Sequence, residues 1–183
     1  MKFSAAIATL AAAGSALAAP SEPETFDLMA LRSASPIHFA PFSAAKSNIL
    51  LNLKHQNATC EGDNYNRATF YLKDSGLFLY SKGVKHQRIF VDRSGMGQGK
   101  IGYLTDNTYL PRHFELKGWA IDKNGDLNFN GSSLFACSGA IDDAWSVWVL
   151  IPSNPTPARN EECLGMSSRT IPIKKPVSCE YSQ

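Results

Sequence analysis

The chain has 183 residues, with 18 Lys and Arg against 16 Asp and Glu, for a formal charge of +2. So small a balance gives no electrostatic reason to expect nucleic acid or an anionic membrane as partner. The first residues read as an export signal: Lys2 is the positive flank, an Ala-rich apolar stretch runs to Leu17, and Ala16-Leu17-Ala18 supplies the small residues of a cleavage site. Residues 1–18 are therefore expected to be a signal peptide, with the mature chain starting near Ala19. The apolar stretch is shorter than the ~20 residues a membrane span needs. At the other end, Cys179-Glu180-Tyr181-Ser182-Gln183 lacks the hydrophobic tail of a glycolipid anchor, so no membrane anchor is expected. About 165 residues remain for residues 19–183, enough for a single secreted domain burying ~70% of its unfolded surface.

In chain order, short aromatic and β-branched runs separated by turn residues predict strands. They are Phe26–Leu31, Ile49–Leu53, Thr69–Leu72, Leu77–Tyr80, Arg88–Val91, Ile101–Leu104, Trp119–Ile121, Leu127–Phe129, Leu134–Cys137 and Ser146–Ile151. That spacing predicts an all-β fold: one antiparallel β-sandwich or barrel-like domain, with a β-trefoil as the alternative. Ser43–Ser47 is read as a turn that Ser43 could cap. Asp74-Ser75-Gly76 and Asp122-Lys123-Asn124-Gly125-Asp126 are hairpin turns, the second on its Asn-Gly pair. The stretch Phe90–Tyr103 imitates a phosphate loop, with Gly95, Gly97 and Gly99 ahead of Lys100. Ile101, Gly102, Tyr103 and Leu104 follow in place of Ser or Thr and a helix, so it is read as a glycine-rich turn between two strands. Pro152, Pro155 and Pro157 make residues 151–160 an exposed loop, and Pro172 and Pro176 make Thr170–Tyr181 an edge strand.

Cys60, Cys137, Cys163 and Cys179 are an even set in an exported chain, which predicts two disulfides. Three connectivities are open; the preferred one joins Cys163 to Cys179 locally and Cys60 to Cys137 across the core. None of the spacings suits a zinc knuckle or a Cys-x-x-Cys redox pair. Asn57-Ala58-Thr59 and Asn130-Gly131-Ser132 are sequons in turn-like contexts, so Asn57 and Asn130 are expected glycosylation sites.

Four blocks, FDLMALRSASPIHF (Phe26–Phe39), FVDRSGMGQGKIGY (Phe90–Tyr103), GWAIDKNGDLNFNG (Gly118–Gly131) and FACSGAIDDAWSVWV (Phe135–Val149), closely resemble the fungal cell wall protein PhiA family. The resemblance covers most of the mature chain. It implies a secreted, non-catalytic wall protein with a role in wall organisation and in asexual spore formation, at the phialide and conidium. Lys and Arg are denser around Lys82–Arg88 and at Arg112 than the resemblance leads one to expect.

Motifs for catalysis and cofactors are missing. Asp122, Asn124 and Asp126 have alternating oxygens, but Leu127 and Ser133 stand where a calcium loop needs Gly and Glu. Asp142 and Asp143 are adjacent, and neighbours on an extended chain point apart, whereas a glycosidase needs carboxyls facing each other. His38, His55, His86 and His113 are scattered, and Ser94 and Ser138 lack the nucleophile-elbow pattern. We therefore expect no metal, no cofactor and no catalytic residue, with a secreted hydrolase as the minor alternative. Trp119, Trp145 and Trp148, with Tyr65, Tyr71, Tyr80, Tyr103 and Tyr109, are the remaining resource, since exposed rings stack on sugars. Trp145 and Trp148 are an odd number apart, so they face opposite sides, and one would be free to hold glycan if its side were solvent. The expected partners are thus cell wall polysaccharide or wall proteins.

Overall fold

The computed structural model describes residues 23–83, 85–106, 108–151, 154, 156–160 and 162–183. The expected signal peptide lies outside them, as does part of the 151–160 loop. The described strands are β1 (Thr25–Leu31), β2 (Phe42–Ala45), β3 (Asn48–Leu51), β4 (Thr59–Cys60), β5 (Thr69–Lys73), β6 (Gly76–Leu79), β7 (Gln87–Asp92) and β8 (Lys100–Thr105). The remainder are β9 (Phe114–Glu115), β10 (Trp119–Ile121), β11 (Leu127–Phe129), β12 (Leu134–Cys137), β13 (Trp145–Val149), β14 (Cys163–Gly165), β15 (Ser167–Ile173) and β16 (Cys179–Glu180). The fold is all-β and antiparallel, as the alternating runs predict.

Twelve strands form one sheet, in the order β14-β12-β13-β3-β8-β7-β6-β5-β1-β15, with β2 added on β3 and β9 on β7. Among the described residues no ladder joins β14 to β15, so the sheet is not a closed barrel. Its two ends nevertheless belong to consecutive strands, separated in the chain only by Met166, so the sheet must curl back on itself. A β-trefoil is built on a closed barrel, so this sheet does not fit that alternative. Inward side chains from both ends share one core: Leu28, Phe70, Ile89, Ile101, Leu134 and Val147 among them. Between Leu28, Phe70, Trp119 and Val147 the void is only about 10 Å³. The interior is filled by side chains, so a ligand has to be held outside it.

Turn chemistry fixes the register. Asp74 and Ser75, both at positive φ, form a two-residue turn that pairs Lys73 with Gly76, the type I′ geometry that matches strand twist. Lys46 and Ser47 do the same between β2 and β3. This corrects the expectation for Ser43–Ser47: Ser43 is a buried strand residue whose hydroxyl donates to the Asn66 carbonyl at 2.7 Å. The Asn124-Gly125 hairpin forms, but only Gly125 is left-handed (φ 81°), and the Gly125 N–H donates to the Asp122 carbonyl. That is a type I turn closed by a glycine bulge, not a two-residue turn.

Both disulfides form, with a connectivity different from the preferred one. Cys60 is bonded to Cys179 and Cys137 to Cys163. Each pair is in direct register, Cys60 opposite Cys179 on β4–β16 and Cys137 opposite Cys163 on β12–β14. Cys163 and Cys179 are kept apart because β15 runs between them to the opposite edge of the sheet. The predicted edge strand is found earlier, as β15, paired along its length with β1. The C-terminal tail goes inward: Tyr181 joins the core, and both ends of the Gln87 amide bond its backbone.

Candidate functional site

All three tryptophans are buried, at 3% exposure for Trp119, 7% for Trp145 and 4% for Trp148. The parity expectation holds, because Trp145 enters the main core while Trp148 lies on the other face with Phe135 and the Cys137–Cys163 bridge. The far face is not solvent there, however, so neither ring offers a stacking surface. Trp148 Nε1 donates to Ser146 Oγ at 2.8 Å, and Trp119 meets Phe129 edge-on at 4.9 Å. The glycan-binding expectation for these three residues is corrected by that cover.

Tyr65 and Tyr109 are exposed single rings at 76% and 83%, whereas a stacked aromatic pair lies on the outer face of β5–β7, with Phe78 half-buried and Tyr71 8% exposed at the floor of a depression. Inward residues Phe70, Leu77, Leu79 and Ile89 join the core, so alternation turns Tyr71, Phe78 and Arg88 outward. Cross-strand register sets these three side by side, Tyr71 opposite Phe78 and Phe78 opposite Arg88. The two rings stack at 5.1 Å and 14°. Burial first and the Asp106 carboxylate second raise the Tyr71 phenol above its ordinary value of 10.0, so it remains a neutral hydroxyl.

The next outward row is Lys73, Gly76 and Lys117, since Gly76 pairs with Lys73 on one side and bridges to Lys117 on the other. A side chain at Gly76 would begin 3.0 Å from the Phe78 ring, so the glycine lets that ring lie over the backbone between the two lysines. Two adjoining depressions result. One, of about 490 Å³, is bounded by Tyr71, Tyr80, Lys82 and His86. The other, of about 240 Å³, is bounded by Phe78, Arg88, Leu116 and Lys117. Tyr71 and Lys73 line both. Tyr71 and Tyr80 were legible as aromatic candidates; Phe78 was missed, though its alternation with Leu77 and Leu79 was a usable signal.

The remaining candidates are placed as follows. Asn57 and Asn130 are both exposed, in left-handed turn conformations. Asp122 Oδ1 accepts the N–H groups of Asn124 and Asp126, which caps the hairpin, while Asp126 pairs with Arg169 at 2.7 Å. Asp142 and Asp143 are exposed in the turn before β13. In the glycine-rich β7–β8 turn, a Cβ on Gly97 would lie 1.9 Å from the Asp92 carboxyl carbon. Asp92 instead accepts from Ser94 N at 2.8 Å, so this loop spends its polar groups on itself.

A family model described as PhiA-like secreted protein matches residues 26–182. The chain belongs to this family. It is 49% identical to the cell wall protein phiA of Emericella nidulans, over 97% of the chain and 96% of the relative. Identity to the cell wall protein phiA of Aspergillus fumigatus is 45%, over 98% and 96%. For that of Arthroderma benhamiae it is 42%, over 96% of each. No solved structure matches the chain. Family membership makes it a secreted, extracellular protein of the cell wall. No helix among the described residues is long and apolar enough to cross a membrane.

Proposed function

We propose that this is a non-catalytic wall protein that organises the wall during asexual spore formation, at the phialide and conidium, and that it does so by holding wall polysaccharide in the β5–β7 groove. The observation that carries the binding half is the stacked Tyr71–Phe78 pair at the floor of an open depression ringed by donors. Apolar ring surface with a few polar groups at its edge is the composition that sugar recognition uses. The groove lining has one carboxylate, Asp74, whereas glycoside hydrolysis takes two, which favours holding over cleaving. The developmental half rests on kinship with the phiA proteins. Cleavage near Ala19, a single domain over residues 19–183 and glycans on Asn57 and Asn130 complete the reading, both asparagines being exposed.

The test is to incubate the mature glycosylated protein with insoluble glucan, chitin and mannan, with and without soluble competitor. Saturable, competed binding to at least one, weakened about tenfold by Tyr71→Ala, supports the reading; loss of one good contact of about 1.4 kcal/mol is tenfold. No binding to any polymer overturns it.

A further inference from the structure

Resting on that reading, we infer that the β5–β7 groove takes an anionic polysaccharide, one carrying carboxylates or phosphates along its sugars. The lining holds Lys73, Lys82, Arg88 and Lys117 as cations, with His86 beside them and Asp74 as its one carboxylate, while Asp106 and Glu61 pair with Arg88 and Lys82 from just outside it. The chain as a whole is almost balanced, 18 cations to 16 acids, and in the groove it is Lys73 and Lys117 that carry charge outside any ion pair among the described residues.

How the four cations are engaged matters more than their number. Arg88 Nε is 3.0 Å from Asp106 and is half-buried, which holds it as a fixed wall. Lys82 meets Glu61 only at 3.8 Å, with both side chains more than half exposed, a pairing weak enough for a ligand to replace. Lys73 and Lys117 make no ion pair among the described residues and are exposed.

These two lysines flank Gly76, one on each side, so their backbones are about 10 Å apart across two strand spacings. The Phe78 ring lies over the glycine between them. A sugar ring resting on Phe78 would carry its acidic substituent between two ammonium groups, and the neutral Tyr71 hydroxyl and His86 are left for the sugar's own hydroxyls. A neutral glucan would use the rings and leave both lysines without counter-charge. Flat aromatic floor and paired cationic walls together match an acidic glycan better than a neutral one.

The experiment uses the full mature chain with four soluble probes: a phosphomannan, a polyuronate, a neutral mannan and a neutral glucan. Phosphomannan, polyuronate or both are expected to bind, with affinity falling at least about tenfold as salt rises from low to physiological strength. The double variant Lys73→Gln/Lys117→Gln should lose about tenfold, while Lys174→Gln/Lys175→Gln, a like change at exposed lysines outside the groove, should lose nothing. Which acidic polymer binds decides between phosphate and carboxylate as the charge. Neutral polymers binding as tightly, with no effect of salt or of the Lys73/Lys117 pair, would overturn the inference; sensitivity of that binding to Tyr71→Ala would still uphold the groove. No binding by any of the four, or by the insoluble polymers, would overturn both. Circular dichroism of each variant separates lost binding from lost fold.

Discussion

Two aromatic patches occupy the outer face of the same sheet and differ in how fully they are covered. On β12–β13, Phe135 and Trp148 lie side by side in register, pinned under the Cys137–Cys163 bridge, at 2% and 4% exposure. On β5–β6, Tyr71 and Phe78 are also side by side in register, but no disulfide crosses them and lysines stand around them. Strand alternation produces both patches. What differs is the cover, which closes over Phe135 and Trp148 but leaves Phe78 half-buried.

The largest break in this contrast should come from Trp148→Ala, which would cost about 3–5 kcal/mol of stability in urea unfolding, as truncation of a buried ring does, and leave polysaccharide binding in the surviving folded protein unchanged. Next, Cys137→Ser/Cys163→Ser removes the cover without touching the ring. Releasing a loop with a sequence separation of 26 should cost about 3.5 kcal/mol in the chain-entropy treatment. Trp148 fluorescence should then move to the red in the native state; an unchanged spectrum would mean that the bridge does not exclude water.

Phe78→Ala should behave in the opposite sense, costing only about 1–2 kcal/mol because the ring is half-buried, while weakening polysaccharide binding about tenfold. A stability loss as large as that of Trp148→Ala would erase the distinction between the patches.

The smallest effect is at Asp27, a buried residue of β1 opposite Thr69 of β5. It accepts from Thr69 Oγ1 at 2.8 Å and has Arg67 at 3.8 Å. Burial, outweighing the Thr69 bond and Arg67, raises its carboxyl above the ordinary 3.8. The folded protein therefore holds this proton more tightly than the unfolded chain. The stabilisation is complete below pH 3.8 and is lost as pH rises through the raised value. Asp27→Asn keeps the acceptor for Thr69 and has no charge to bury, so it should be slightly more stable than the parent at pH 7, with the gap closing as pH falls through the raised value and gone below 3.8. Melting temperatures at both pH values check this.

Much of the strand pattern was legible as short apolar and aromatic runs between turn residues: Trp119–Ile121, Leu127–Phe129 and Leu134–Cys137 are found with the predicted bounds. Strand β2, Phe42–Ala45, was not, since after Phe42 its Ser-Ala-Ala composition has neither aromatic nor β-branched side chains. Strands β4, β9 and β16 are two residues each and exist by pairing with distant partners. The groove was half legible. Tyr71 and Tyr80 were in the aromatic set, yet Lys117 reaches it only through its bridge to Gly76, a contact across 41 residues (117 − 76).

The sequence by itself determined the all-β class, most of the strands, the hairpin turns, the two disulfides as a number and the opposite facing of Trp145 and Trp148, because these follow from local alternation, turn residues and counting. Only the tertiary structure decided which cysteines meet, that both tryptophans are covered, and that the half-buried ring of Phe78 stacks on Tyr71 at the floor of a depression. Those outcomes depend on which strands become neighbours when the sheet curls, and neighbours far apart in the chain leave no local trace in it.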